Sequence, residues 1–295
     1  MTSAPLSPLG AAAAPSMTTL QRHRLADLLQ RSCGFVWREH QQRVAERRLA
    51  TRLALLGLAD YGAYTRFLEV DPRGGEELRR AVDLLVPHET YFFRQPAQLA
   101  CFETELVPRL VEQHADGRAL RLWSAGCATG EEPYTLAMLL SGRLDLEGWM
   151  VEVLGTDWSS QSLATAERAE YRPTSLRATS QERRERFFDP LAGGRVLVKE
   201  AVRAVVSFRQ LNLLEPEATA PLPRFDAIFC RNVLMYFDVP TRVRVVERLF
   251  DRLESGGFLL LGQAENLLTL ATRFEPVQFE GGLVYRRPLT RATGQ

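Results

Sequence analysis

The sequence predicts an α/β fold, a mainly parallel sheet covered by helices on both faces, with a small all-helical domain in front of it. Three observations carry that expectation. From Leu120 onward, short apolar runs alternate with helical stretches. A loop of small residues, Ser124 to Gly130, joins the first of those runs to a helix. Between Thr18 and Val86 apolar residues recur at helical spacing alone. Strands separated by helices of this length pair in parallel and bury both faces of their sheet.

The elements follow in order. Residues 1–17 are expected to be a disordered tail, since Met1 to Ala14 lacks the basic region and long apolar stretch of an export signal. A helical domain then spans 18–86. Leu20, Leu25, Leu28 and Leu29 mark one helix, and Val44, Leu49, Leu53 and Leu56 the next. Gly57 and Gly62 interrupt, Tyr64 to Leu68 resumes, Asp71 to Gly75 turns, and Glu76 to Leu85 makes a further helix. Arginines outnumber acids between Arg22 and Arg52, and Arg43 and Arg47, one turn apart, share a helix face. Such a face is either a solvated surface or an electrostatic dock for an acidic partner. Residues 87–119 form a linker and a helix leading into the α/β domain, which covers 120–287. Its strands are Leu120 to Trp123, Val151 to Gly155, Phe225 to Cys230 and Gly257 to Gly262; its helices are Tyr134 to Leu140, Ser160 to Ala169 and Val239 to Leu253. Leu283 to Tyr285 is a final strand paired after the Gly281-Gly282 turn. The stretch 172–208, with Gly193-Gly194 flanked by possible strands, Arg195 to Lys199 alternating and Ala204 to Phe208 apolar, reads as a small antiparallel subdomain. Residues 288–295 should fray.

Composition bounds the function. At 295 residues, 45% hydrophobic and 25% charged, the chain is an ordinary globular protein, and a net charge of +1 excludes strong global attraction to nucleic acid. No apolar run approaches the ~20 residues that cross a bilayer. Cys33, Cys101, Cys127 and Cys230 are scattered without a close Cys-x-x-Cys pair, which suits a reducing compartment and no zinc site. His88 has no second histidine or cysteine beside it, so no metal is expected there. Neither a Ser-His-Asp arrangement nor a Walker-type loop occurs.

Ligands in such sheets bind beyond the C-terminal strand ends. The loop at Ala125 and Gly126 lets bare backbone approach a ligand. It leads to Glu131 and Glu132, which would repel a phosphate at a helix N-terminus. They suit a ligand with an amine or ribose hydroxyls, so the loop argues for a nucleoside-bearing cofactor without pyrophosphate. Asp157, ending the second strand, can accept a ribose diol or cap a helix. Arg231, Asn232 and Tyr236 follow the apolar strand Phe225 to Cys230. Asn212, beside Leu213, offers an amide next to apolar side chains able to clamp a purine, or simply forms a turn. The linker His88-Glu89-Thr90-Tyr91-Phe92-Phe93-Arg94 is unusually aromatic and charged. Its aromatic pair can pack the two domains together, and Arg94 can face the cleft.

Taken together, the segments His88 to Arg94, Ser124 to Tyr134, Gly155 to Asp157, Asn212 to Leu214, Phe225 to Asp238 and Gly262 to Asn266 resemble the CheR family of chemotaxis receptor methyltransferases. The resemblance covers nearly everything from Thr18 to Tyr285. It implies an N-terminal helical domain and a class I S-adenosylmethionine-dependent, Rossmann-like methyltransferase domain carrying a small antiparallel β-subdomain. It also implies methyl transfer to glutamate carboxylates on the cytoplasmic helical bundle of a methyl-accepting chemoreceptor, giving γ-methyl esters and S-adenosylhomocysteine. His88, Thr90, Arg94, Ala125, Gly126, Glu131 or Glu132, Asp157, Asn212, Leu213, Arg231 and Asn232 would surround the cofactor, and Arg43 and Arg47 would meet the receptor. Arg94 and Tyr236 would orient the substrate glutamate. A cytoplasmic monomer without nucleic-acid partners is expected.

The chain departs from the family pattern at His88, where enteric-type members carry asparagine, and at Gln263-Ala264, where His-Ser is usual. The short turn at Leu191 to Arg195 leads us to expect receptor binding without a C-terminal tether. Two other readings remain open at the level of sequence: a methyltransferase for another protein or small molecule, and a non-catalytic cofactor-binding module.

Overall fold

A computed structural model describes residues 16–37, 42–86 and 89–289, and the chain divides into two compact units. His88, and the tail expectations for 1–15 and 290–295, lie outside the described residues. The first unit holds helices α1 (Thr19–Cys33, up to Arg31), α2 (Gln42–Leu56), α3 (Tyr61–Val70) and α4 (Gly74–Leu85). Met17, expected in the tail, is buried and its N–H donates to Glu46 at 3.1 Å. Along α2 the buried rail is Ala45, Leu49 and Leu53, each four residues on; Val44 and Leu20, which fit the apolar spacing, are exposed. Helix α4 starts two residues before Glu76. A Cβ on Gly74 would lie 2.5 Å from the Leu68 carbonyl, so only glycine fits that helix start. Glu77 on α4 is the buried polar centre: it accepts the Tyr64 hydroxyl at 2.8 Å and both Nε and a terminal nitrogen of Arg52 at 2.8 and 2.5 Å. Arg43 and Arg47 are exposed.

The second unit comprises residues 32–36 and the chain from 87 onward. It opens with α5 (Pro96–Cys101), a π-helical turn (Phe102–Leu106) and α6 (Val107–Gln113). Then come β1 (Ala119–Ala125), α7 (Glu131–Leu140), β2 (Met150–Asp157), α8 (Ser160–Arg168), β3 (Glu170–Tyr171), α9 (Gln181–Phe187), β4 (Phe188–Pro190), β5 (Val196–Val198), α10 (Glu200–Arg203), β6 (Val206–Gln210), α11 (Pro216–Thr219), β7 (Phe225–Cys230), α12 (Val239–Arg252), β8 (Leu253–Leu261), β9 (Glu275–Phe279) and β10 (Gly282–Arg286). The main sheet runs β6-β2-β1-β7-β8-β10-β9, and a second sheet runs β3-β5-β4. Strands β6, β2, β1, β7 and β8 are parallel, while β10 is antiparallel to both β8 and β9. Every residue of β7 is buried, so it reads as an apolar run interrupted only by Asp226, whose carboxylate accepts the Arg121 N–H at 2.7 Å.

Two expectations for this unit need correction. Ala204 to Phe208 is not part of the antiparallel excursion: Val206 to Gln210 pairs in parallel with β2 as an edge of the main sheet. Strand β9 was not anticipated, because Pro276 argues against a strand except at a sheet edge, where β9 sits. At the other end of the chain, the Pro288 carbonyl accepts the Ser255 hydroxyl. The order reverses between β1 and β7, since the chain first builds outward to β2 and β6 and then returns. That switch point, at the C-terminal strand ends, places the loops after β1 and β7 side by side.

Candidate cofactor and active site

The loop after β1 is shaped by backbone. Gly126 and Cys127 donate their N–H groups to the Thr156 carbonyl at 2.8 and 2.9 Å, folding the loop over the end of β2. Gly126 has φ +80, and a Cβ there would lie 2.5 Å from a Val233 methyl; Gly130 has φ +92 and presses on Ala166. Both positions need glycine. Asp157 fastens the loop: its carboxylate accepts Ala128 N–H at 2.8 Å and Ser159 N–H at 2.9 Å. The cap of α8 is Ser159, so Asp157 is not the capping residue.

A cavity of about 350 Å³ opens beside this loop. Thr90, Arg94, Gly126, Glu132, Arg231, Asn232 and Tyr236 line it, as do Glu89, Tyr91, Cys127, Ala128, Met235 and Ala264. The structure thus brings seven of the residues singled out from sequence onto one wall. It does not bring Ala125, Glu131, Asp157, Asn212 or Leu213 onto it.

The two glutamates diverge. Glu132 accepts the Ser124 hydroxyl at 2.7 Å and Arg231 at 2.9 Å, with its remaining surface on the cavity. Glu131, 2% exposed, turns away and accepts the hydroxyls of Thr129 at 2.7 Å and Ser175 at 2.9 Å. Burial pushes its pKa above the usual carboxylate range, and those two hydroxyl bonds only partly offset it. Asn212 also faces elsewhere: both its amide donors are taken, by the Ser32 carbonyl and by Glu215, and its oxygen accepts Leu214 N–H. Leu213 is packed in an apolar cluster with Trp123 and Phe225.

Arg231 is almost wholly committed to the protein. Its guanidinium donates to Glu132, to the Arg94 carbonyl at 2.6 Å and to the Gln95 side chain at 2.8 Å. Asn232 has φ +61, and its side-chain oxygen is buried with no hydrogen-bond partner among the described residues. Glu265 holds the backbone there, accepting N–H from Asn232, Gly262 and Met235 at 2.6, 2.8 and 3.0 Å. Gln95 and Glu265 are the functional positions that sequence reasoning missed; Glu265 stood in the Gly262 to Asn266 motif, just past a strand end, and that was its signal. Ala128 on the cavity and Phe93 and Gln95, either side of the lining residue Arg94, also have positive φ, a disfavoured backbone for non-glycine residues.

Phe92 and Phe93 are buried in the second unit's own core, Phe92 edge-on to Tyr171 and Phe188. This anchors Thr90, Tyr91 and Arg94 at the cavity. Among the described residues no carboxylate pairs with Arg94, whose guanidinium donates to the Glu89 carbonyl at 2.5 Å. Burial raises the Tyr236 pKa; Arg94 works against that rise, while Glu265 and Glu89 add to it.

Residues 88–282 match the family model described as CheR methyltransferase, SAM binding domain, and residues 21–86 match the model described as CheR methyltransferase, all-alpha domain. A chemotaxis protein methyltransferase of Pseudomonas putida is 33% identical over 88% of this chain and 94% of its own length. That of Klebsiella aerogenes is 36% identical over 85% of this chain and 84% of its own, and that of Escherichia coli 34% identical over 85% and 86%.

Proposed function

The chain belongs to the CheR methyltransferase family, and from that premise we propose that it methylates glutamate side chains on the cytoplasmic helical bundle of a chemoreceptor. The products are glutamate γ-methyl esters and S-adenosylhomocysteine. Its cofactor is S-adenosylmethionine. The cavity fits that molecule: its volume suits a small ligand, Gly126 leaves backbone bare, Glu132 presents a carboxylate, and the Asn232 side-chain oxygen awaits a donor. When bound, the cofactor supplies an electrophilic methyl group on a sulfonium.

In this proposal Glu132 takes the methionyl amine and Asp157 the ribose hydroxyls. Thr90, Gly126 and Asn232 border the ligand and Arg231 holds Glu132 in place, while Asn212 and Leu213, turned to Ser32, Glu215 and an apolar cluster, take no part in the proposed contacts. Glutamate has a reference pKa of about 4.3, so at neutral pH the substrate is already a nucleophile and needs no general base. What the protein must supply is alignment. Arg94 donates to one substrate oxygen and leaves the other free, since a bidentate clamp would stabilise the ground state. Tyr236, its pKa raised by burial, stays protonated and donates its hydroxyl hydrogen.

The observation that carries this function is the contrast between two guanidiniums on one wall. Arg231 is engaged by Glu132, whereas Arg94 has no carboxylate partner among the described residues and faces the cavity beside Tyr236. A site with one open guanidinium next to a methyl-donor pocket suits a carboxylate substrate. The receptor reading sets the protein in the cytoplasm as a monomer, with Arg43 and Arg47 meeting acidic receptor helices. No helix among the described residues is long and apolar enough to cross a membrane. The test is transfer from radiolabelled S-adenosylmethionine to receptor fragments, followed by mild alkali. Label on a γ-methyl ester leaves as methanol; label that survives alkali would sink the proposal.

A further inference from the structure

Glu89 stands at the mouth of the cavity, and its carboxylate is held by Arg177 at 2.8 Å. Arg177 follows the 3-10 turn Pro173–Leu176, in the segment that carries the small antiparallel sheet. Its guanidinium carbon lies 3.7 Å from the centre of the Tyr91 ring, a stacked position that fixes where the charge sits. On the other side, the Arg94 guanidinium donates to the backbone carbonyl of that same Glu89. Two methylenes therefore separate the Glu89 carboxylate from a backbone that Arg94 already touches. Glu89 is also among the charges that act on Tyr236. A carboxylate of the chain itself thus stands within reach of the two groups assigned above to the substrate.

We propose that Arg177 is a positioning residue: by pairing with Glu89 it keeps that carboxylate off Arg94, leaving Arg94 open to an incoming carboxylate. The inference rests on the assignment of Arg94 as a carboxylate receiver. The incoming group is either the substrate glutamate or the methionyl carboxylate of the cofactor. Once Arg177 is removed, Glu89 becomes a tethered competitor, at an effective concentration in roughly the millimolar range or above. A competitor of that kind raises KM and leaves kcat alone, because saturating substrate displaces it.

Arg177→Ala, Glu89→Gln, the double variant and Arg94→Gln should be compared in steady-state transfer to receptor fragments. Calorimetry with S-adenosylhomocysteine should run alongside. For Arg177→Ala the KM for receptor should rise about fivefold, the size an exposed ion pair can carry, with kcat within about twofold. Adding Glu89→Gln should restore the KM. If the carboxylate received is the cofactor's, the rise and its rescue appear in the dissociation constant for S-adenosylhomocysteine instead. Arg177→Lys, which keeps the charge without the planar stack, should stay near the parent value. Unchanged constants in Arg177→Ala, or a loss that Glu89→Gln does not restore, would overturn the inference; the latter would mean that only the Tyr91 stack matters. Full activity and affinity in Arg94→Gln would overturn the assignment of Arg94 itself, whatever Arg177 does.

Discussion

Glu131 and Glu132 are adjacent in sequence and chemically identical, so exchanging each for glutamine isolates the effect of place. Glu132 is 16% exposed at its side chain and faces the cavity. Glutamine there keeps the shape and can still accept from Ser124 or Arg231, but removes the charge proposed to meet the cofactor's ammonium. A hydrogen bond to a charged group contributes about 1.5–3 kcal/mol, which is roughly 10- to 150-fold in dissociation constant. Calorimetry with S-adenosylmethionine and S-adenosylhomocysteine at fixed salt should show a weakening in that range for Glu132→Gln. Glu131→Gln should bind within about twofold of the parent, because its carboxylate is turned to the hydroxyls of Thr129 and Ser175. A tenfold loss in Glu131→Gln with Glu132→Gln unaffected would refute the assignment.

The same pair separates binding from stability. The folded-state pKa of Glu131 is raised by burial, so the folded protein holds that proton more tightly than the unfolded chain does. The contribution is fully present below the unfolded pKa and is lost as pH rises through the folded one. Glu131→Gln removes that loss, and at neutral pH its melting temperature should equal or exceed the parent's. The difference should shrink as pH falls into the carboxylate range. Melting below the parent at neutral pH would show that the two hydroxyl bonds outweigh the burial of charge.

Three further outcomes are expected. Tyr236→Phe should lower turnover about fivefold, the worth of one hydrogen bond, with affinity for S-adenosylhomocysteine kept; unchanged turnover would remove Tyr236 from the mechanism. Reversing Arg43 and Arg47 to glutamate should raise the KM for receptor and flatten its dependence on salt, and a KM indifferent to both changes would end the docking proposal. Glu77→Ala leaves Arg52 and Tyr64 without their shared carboxylate, so urea unfolding should show a loss of about 3 kcal/mol. Burial works to raise the Glu77 pKa, but the bonds from Arg52 and Tyr64 with the nearby arginine charges outweigh it and the net shift is downward. Glu77 therefore stabilises the fold above its unfolded pKa, and that share should vanish as pH falls through the folded one; a parent-to-variant gap that persists in acid would contradict it.

How much of this was legible in the sequence depends on how each feature is buried. The parallel strands are buried on both faces, so β7 stands out as six consecutive apolar or paired residues. Edge strand β6 carries exposed Ser207, Arg209 and Gln210 on its way, so it lost that signature and was grouped with the small sheet. The loops at the switch point were legible because topology alone places ligands there. Individual side chains were not. Successive residues on a helix point about 100° apart, so Glu131 and Glu132 had to diverge, yet nothing local says which one meets Ser175, 44 residues later. Asn212 looked like a ligand amide and is a turn amide with its donors used.

Arg231 shows the general reason. A basic residue just past a buried strand reads as a ligand contact, but its partners Glu132 and Gln95 are 99 and 136 residues away in sequence. Its charge is cancelled by groups no local pattern reveals. For a carboxylate ligand, the bases that count at such a cavity are those its own acids leave open. At this cavity, composition would count Arg94 and Arg231 alike, and Glu89 and Glu132 alike. The internal pairs, Arg231 with Glu132 and Arg177 with Glu89, single out Arg94. On the proposed reading, selectivity for a carboxylate depends as much on the acids that are tied down as on the base that is left free, and Arg177, remote in sequence from Arg94, belongs to the same proposal.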